Sequence, residues 1–408
     1  MKKLVFLLPI AALAMASCSN DSVVEQPATK VVSAEALRIY PEIQGATRGT
    51  VWDNSNFVAF YLTTTGKFQT NSEVVNHSSA DYLTNAIVEK SNGTWSIGGT
   101  DYYWPSKTAT SGFTAWAPVY DDHSTVFGPG DYTASTTIAN QKDILVAFNS
   151  GSATDFESGV PLKFRHILSQ IIIKADNADK TKVDIEVADV RLNNISSKGT
   201  WAVPTASTAT SLGYTPWSGV SDQVNYFTKV ASFASPIMLD GSAKDLTGTN
   251  PLLLIPQQLN AATIASGTGQ YISLLVRIKK GTTMIYPKNN FKGENSDPDY
   301  RTGSFNDTDN KYDNTPVVSG TEQWAWTAVD INTKWEPGKK YIYTLHFTEN
   351  GYGKIDSNTD GGNAHPGDDD GDPTNDPEPG EDVVDTPVKL ILDVEVIDWE
   401  EVTEEQNM

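Results

Sequence analysis

The chain has 408 residues, of which 38% are hydrophobic, and its 30 Lys and Arg against 51 Asp and Glu give a formal net charge of −21. That balance argues against nucleic acid and anionic lipid surfaces as partners, since both repel a strongly acidic protein. With one cysteine there are no disulfides within the chain and no Cys-based zinc sites.

The first 17 residues read as an export signal. Met1-Lys2-Lys3 precedes the apolar run Leu4 to Ala16, which suits a signal core but falls short of the roughly 20 residues a membrane span needs. Cys18 follows the small residues Ala16 and Ser17 directly and is the expected site of lipidation on an exported precursor. Residues 18–48 read as a propeptide whose strand candidate presents Val31, Ser33, Glu35, Leu37 and Ile39 on one face, with Ala34 to Tyr40 as the span around Arg38. Beyond it, short alternating runs broken by Gly, Ser, Thr, Asn and Asp predict an all-β chain of two sandwiches in series.

At Phe164, His166 and Leu168 the apolar phase sits on even positions, then moves to Ile171 and Ile173, which predicts a β-bulge or a crossing between sheets. The polar run Ala175 to Lys180 suggests domains at 49–178 and 179–355, although a turn inside one domain would look the same. Leu252 to Ile255 is apolar on both faces and stops at Pro256, as a buried strand would. Ile272, Leu274, Val276 and Ile278 form one inward face, and Tyr341, Tyr343, Leu345 and Phe347 another.

Residues 356–386 read as an acidic, flexible linker: Asp356 to Asp385 holds eleven acidic residues and no Lys or Arg. Within it, Asp368, Asp370 and Asp372 around Gly371 offer the hard oxygens calcium uses. They lack EF-hand spacing and a closing glutamate, so a self-repelling tether is the preferred reading. Residues 387–408 then carry one isolated strand. Val388, Leu390, Leu392, Val394 and Val396 alternate with Lys389, Ile391, Asp393, Glu395 and Ile397, and Trp399 stands beyond as a terminal anchor. Five buried aliphatic side chains offer on the order of 8–15 kcal/mol before ordering costs. Such a strand either completes its own sheet or is donated to another copy, and a head-to-tail donation that does not close builds a filament.

Catalytic chemistry is sparse. His77, His123, His166, His346 and His365 are scattered, and no nucleophile elbow, phosphate-binding glycine loop or His-Glu-Xaa-Xaa-His helix occurs. Asp121-Asp122-His123 reads as a solvated turn, and His166, in phase with Phe164 and Leu168, as a packed core residue. The expectation is no enzyme and no cofactor. A surface lipoprotein that binds glycans on Trp95, Trp217 or Trp326 is the alternative from another class.

A set of short motifs resembles the Bacteroidales fimbrillins, lipoprotein precursors of type V pili. It comprises Tyr103-Trp104-Pro105 with Phe113, Ala115 and Pro118, then Asp143-Ile144-Leu145 and Phe164-Arg165-His166-Ile167-Leu168-Ser169. Leu254-Ile255-Pro256-Gln257 and Trp335-Glu336-Pro337-Gly338-Lys339-Lys340-Tyr341-Ile342-Tyr343 complete it, in this order behind the lipidation signal. The resemblance implies two transthyretin-like β-sandwich domains followed by a C-terminal strand on the acidic linker. It also implies an outer-membrane lipoprotein precursor from which an Arg-specific protease removes an N-terminal strand, and a vacated groove filled by a strand from another copy or a related fimbrillin. Thr47-Arg48-Gly49 matches the processing site, with Arg48 before the cut; glycine stands where the family often has alanine. Arg38 is the rival, inside the strand that the fold would protect. A tip or accessory fimbrillin with an adhesive role is the alternative within the family.

Overall fold

In the computed structural model the described residues are 35–43, 57–70, 80–119, 127–204, 216–228, 231, 235–248, 250–287, 305–306, 311–312, 324–357, 378–383 and 390–398. Cys18, Arg48, Gly49, Val388, Trp399 and the aspartates 368, 370 and 372 lie outside them, as do His77, His123 and His365.

The regular structure of the described residues is strand apart from two short 3-10 turns, Ile138–Asn140 and Ile264–Ser266. The N-terminal half builds a seven-stranded sheet in the order Ile39–Ile43, Val160–His166, Leu145–Gly151, Ser111–Ala117, Ala59–Thr64, Ala86–Ser91 and Thr94–Ile97. Every pairing in it is antiparallel except the first. A short second layer faces it, formed by Lys67–Phe68 against Asp81–Tyr82 and by Tyr103 bridging Ala36 and Gln69. Between the layers lies an aromatic-rich core in which Trp104 packs edge to face on Phe68 (5.0 Å) and Phe113 (5.6 Å), themselves tilted at 5.7 Å, an arrangement that adds to their area burial.

The C-terminal half is a β-sandwich. One sheet orders Lys244–Asp245, Ser169–Asn177, Lys339–Phe347 and Ile391–Asp398, with Leu252–Leu254 also paired to Ser169–Asn177. The facing sheet runs Trp217–Phe227, Asp184–Trp201, Tyr271–Lys280, Ala325–Asp330 and Lys354–Ile355, joined by Gly130–Thr133, Ile237–Met238 and Thr283–Tyr286. The two inward faces expected at Ile272–Ile278 and Tyr341–Phe347 meet in one core with Ile171, Ile173, Ile185 and Val187. Period-two alternation places them there, since successive strand side chains point to opposite faces.

The phase shift after Phe164 marks a crossing between sheets. Phe164 belongs to the N-terminal core, Ile167 and Leu168 to a small cluster between the halves, and Ile171 and Ile173 to the C-terminal core. Ser169–Asn177 therefore pairs within the C-terminal sandwich, and the polar run beginning at Ala175 closes that strand before Asp184. Leu252–Ile255 is buried on both faces: Leu252 and Leu254 point into the C-terminal core, Leu253 and Ile255 into the cluster between the halves, with Tyr61 and Trp116.

Candidate functional site: the strands that seal each half

The N-terminal strand closes the first half by switching layers midway. Trp104 N–H donates to the Glu35 carbonyl (2.9 Å) and Leu37 N–H to the Tyr102 carbonyl (2.7 Å), in the short layer. One residue later the Val160 N–H donates to the Arg38 carbonyl (2.8 Å), and Ile39–Ile43 runs parallel to Val160–Phe164 in the large sheet. Leu37, Ile39 and Ile43 are buried against Trp104, Val160, Leu162 and Phe164. The Arg38 side chain is exposed, but the backbone on either side of it is held in these pairings. Gly159, at φ +112°, permits the close pass: a Cβ there would lie 2.2 Å from the Tyr40 ring.

Charges flank this strand near both ends. Glu35 accepts from Lys107 Nζ at 2.6 Å, and Glu42 stands opposite Lys163 in the register. The Glu35 hydrogen bond and charge hold the Lys107 amine above its usual range. Thr154 fixes the Lys107 backbone by donating its N–H and hydroxyl to the Lys107 carbonyl.

The C-terminal strand lies on the edge of the second half, antiparallel to Lys339–Phe347. Its apolar face is unevenly used. Leu390 is buried and Leu392 touches the core, whereas Val394 and Val396 remain 38% and 49% exposed. An open groove runs beside it, lined by Val329, Ile331, Asn332, Leu392 and Val394. On the outer face His346 joins three strands, with Nδ1 2.8 Å from Asp176 and Nε2 3.2 Å from Asp393. Lys339 pairs with Asp398.

Part of the acidic segment is docked. Gly380 N–H donates to the Ile355 carbonyl and Ile355 N–H to the Glu381 carbonyl, both at 2.8 Å, while Val383 N–H donates to Gly353 (3.1 Å) and its side chain enters the core. Asp356, where the segment begins, is buried beneath the outer face of the eight-stranded sheet. It accepts from Arg191 Nη2 (2.6 Å), Tyr271 OH (3.2 Å) and Ser273 Oγ, and the Arg191 guanidinium sits 4.2 Å over the Trp326 ring. Burial raises the Tyr271 phenol above its usual range, which keeps it a neutral donor to Asp356.

The remaining candidates serve packing. His166 is buried with its Nδ1 2.7 Å from Asp143. Trp95 packs on Phe57 and Phe60, the Trp217 Nε1–H donates to the Ile167 carbonyl, and Trp326 lies buried under Arg191. Among the described residues no three His, Cys, Asp or Glu side chains are grouped to hold a metal, and no helix is long and apolar enough to cross a membrane. Lys107, Lys163, Arg191 and Asp356 carried no local sequence signal, because each partner lies far along the chain.

The sequence pattern of a family described as fimbrillin-like matches residues 46–360. No curated protein matches the chain. Among solved structures, a fimbrial protein from Bacteroides vulgatus is similar at 14% identity and a TM-score of 0.46, over 89% of this chain and 99% of that one. A candidate cell adhesion protein from Bacteroides ovatus is similar at 15% identity and a TM-score of 0.42, over 78% and 94%. A third, from Parabacteroides distasonis, is similar at 10% identity and a TM-score of 0.41, over 91% and 98%.

Proposed function

Because this chain belongs to the fimbrillin-like family, we propose that it is a structural subunit of a cell-surface pilus, assembled by exchange of its C-terminal strand. In this reading the precursor is exported as a lipoprotein through Cys18 to the outer membrane. An Arg-specific protease cuts after Arg48, the N-terminal strand leaves, and the C-terminal strand of another copy or a related fimbrillin takes its place. The two halves act as separate sandwiches in series, with the first as acceptor and the second as the base of the donated arm.

The unequal burial of the two sealing strands carries the proposal. Losing Leu37, Ile39 and Ile43 would uncover a core that three aliphatic side chains had covered, a loss of about 5–9 kcal/mol. The C-terminal strand offers aliphatic residues at every second position from Leu390 to Val396, with Val394 and Val396 half-exposed at home. It therefore gains apolar burial by moving, and main-chain pairing along the vacated edge adds register and affinity. Its attachment as an edge strand leaves it removable without opening the opposite sheet.

Arg48→Ala tests the route. The expected product is a full-length, folded precursor that forms no filaments, whereas subunits from wild-type filaments begin at Gly49 on N-terminal sequencing. A start at Ile39 would assign the cut to Arg38, whose backbone pairing argues for protection; filaments from uncut chains would remove processing from the route.

A further inference from the structure

We infer that Lys107 and Lys163 form a basic rim around the first half's sealing groove, and that this rim favours an incoming strand that is apolar on one face and carries acids at the middle of the other, the C-terminal strand of a second copy. The inference rests on the strand-exchange reading and adds what recognises the arm.

In the precursor each lysine faces a carboxylate of the N-terminal strand: Lys107 binds Glu35 at 2.6 Å, and Lys163 stands opposite Glu42. Both carboxylates leave with that strand. The groove would then present apolar pockets flanked by two exposed cations, with Glu157 the remaining acid close enough to act on Lys107. The C-terminal strand is built to match. Its apolar face is Leu390, Leu392, Val394 and Val396, closed by Asp398, and its outer face carries Asp393 and Glu395 between Ile391 and Ile397. At home these acids already meet basic side chains, Asp393 at His346 and Asp398 at Lys339. Exchange would therefore bring the outer-face acids Asp393 and Glu395 under the field of two lysines.

Asp393 and Glu395 lie about 7 Å apart on one face of the arm, and Glu35 and Glu42 about 23 Å apart along the N-terminal strand, at roughly 3.3 Å per residue, so the rim acts through its field and not through one-to-one pairing. Rim charges of this kind act mainly on association rate and on rejection of wrong partners, and salt screens them.

The test is a charge-swap cycle on the full chain, cut with an Arg-specific protease and followed by light scattering. It compares wild type, K107E/K163E, D393K/E395K and the combined quadruple variant. At about 50 mM salt each double variant is expected to grow filaments at least about tenfold more slowly. The quadruple variant should return to within a few-fold of wild type, and all four should converge near about 500 mM. Effects of the arm substitutions within their own subunit cancel in the cycle. Thermal melting of K107E/K163E should fall by only a few degrees, because both side chains are exposed and the contacts they lose to Glu35 and Glu42 are surface ones. Wild-type growth by K107E/K163E, or a quadruple variant slowed by the product of both defects, would overturn the rim. Its failure is separable from that of the exchange reading. If Val394→Asp with Val396→Asp abolishes filaments while the charge swaps do nothing, only the rim falls; if filaments survive those aspartates, exchange falls and the rim with it.

Discussion

Val394→Asp combined with Val396→Asp is expected to abolish filament formation while leaving the isolated subunit's melting temperature within a few degrees of wild type. Both valines are 38–49% exposed in the subunit, so a carboxylate at either place keeps its water. In an acceptor groove the same carboxylates would be stripped of water with no partner on the apolar face. Charge burial of that kind costs far more than the loss of a few methylenes. Leu392→Asp is a blunter probe, because Leu392 packs on its own subunit's core and its loss would also loosen the strand at home. Melting and filament yield after proteolysis separate the outcomes. A collapse of subunit stability would mean that the strand's main role is to complete its own sheet.

Asp356→Ala should destabilise the C-terminal sandwich by about 3–5 kcal/mol, the usual cost of removing one partner of a buried ion pair. For a unit of this size that corresponds to a fall of about 6–20 °C in Tm. The Arg191 guanidinium would stay fully buried over Trp326, without the carboxylate that accepts from it, from Tyr271 and from Ser273. Substituting both partners by apolar residues, Arg191→Met with Asp356→Leu, should recover much of the loss, since no charge is then left in the interior. Calorimetry of the single and double variants checks both signs.

How much of this was legible in the sequence depends on the range of the interaction. Period-two alternation revealed the inward faces at Ile272–Ile278 and Tyr341–Phe347 because each is written in one continuous run. The phase change between Phe164 and Ile171 signals a bulge or a crossing for the same reason, and the pairings on either side make it a crossing. By contrast, the polar run from Ala175 to Lys180 looks alike at a domain boundary and in a turn within one sandwich. Only the pairing of Ser169–Asn177 with Lys339–Phe347 distinguishes them. The docked end of the acidic segment was hidden by composition. Val383 is one apolar side chain in an acidic stretch, and the constraint on Gly380 comes from Ala265, which a Cβ would approach to 2.7 Å. The alternation of the C-terminal strand was plain, but how little of its apolar face its own subunit covers depends on where the opposite sheet ends. The layer switch of the N-terminal strand depends on Tyr102–Trp104 and Val160, both remote in sequence.

The central claim, that the C-terminal strand of one copy occupies the groove vacated in another, is tested most directly by a cysteine trap. Cys18 is the chain's only cysteine, so in a Cys18→Ser background the engineered thiols report alone in cut and uncut chains. Leu162→Cys in the groove is combined in turn with a cysteine at Leu390, Leu392, Val394 or Val396, cut with an Arg-specific protease and oxidised. The account predicts a ladder of disulfide-linked multimers for at least one pairing, absent from uncut precursor. No ladder at any of the four positions, with the arm cysteine at Val394 instead linking to Val329→Cys of its own chain in assembled filaments, would contradict it.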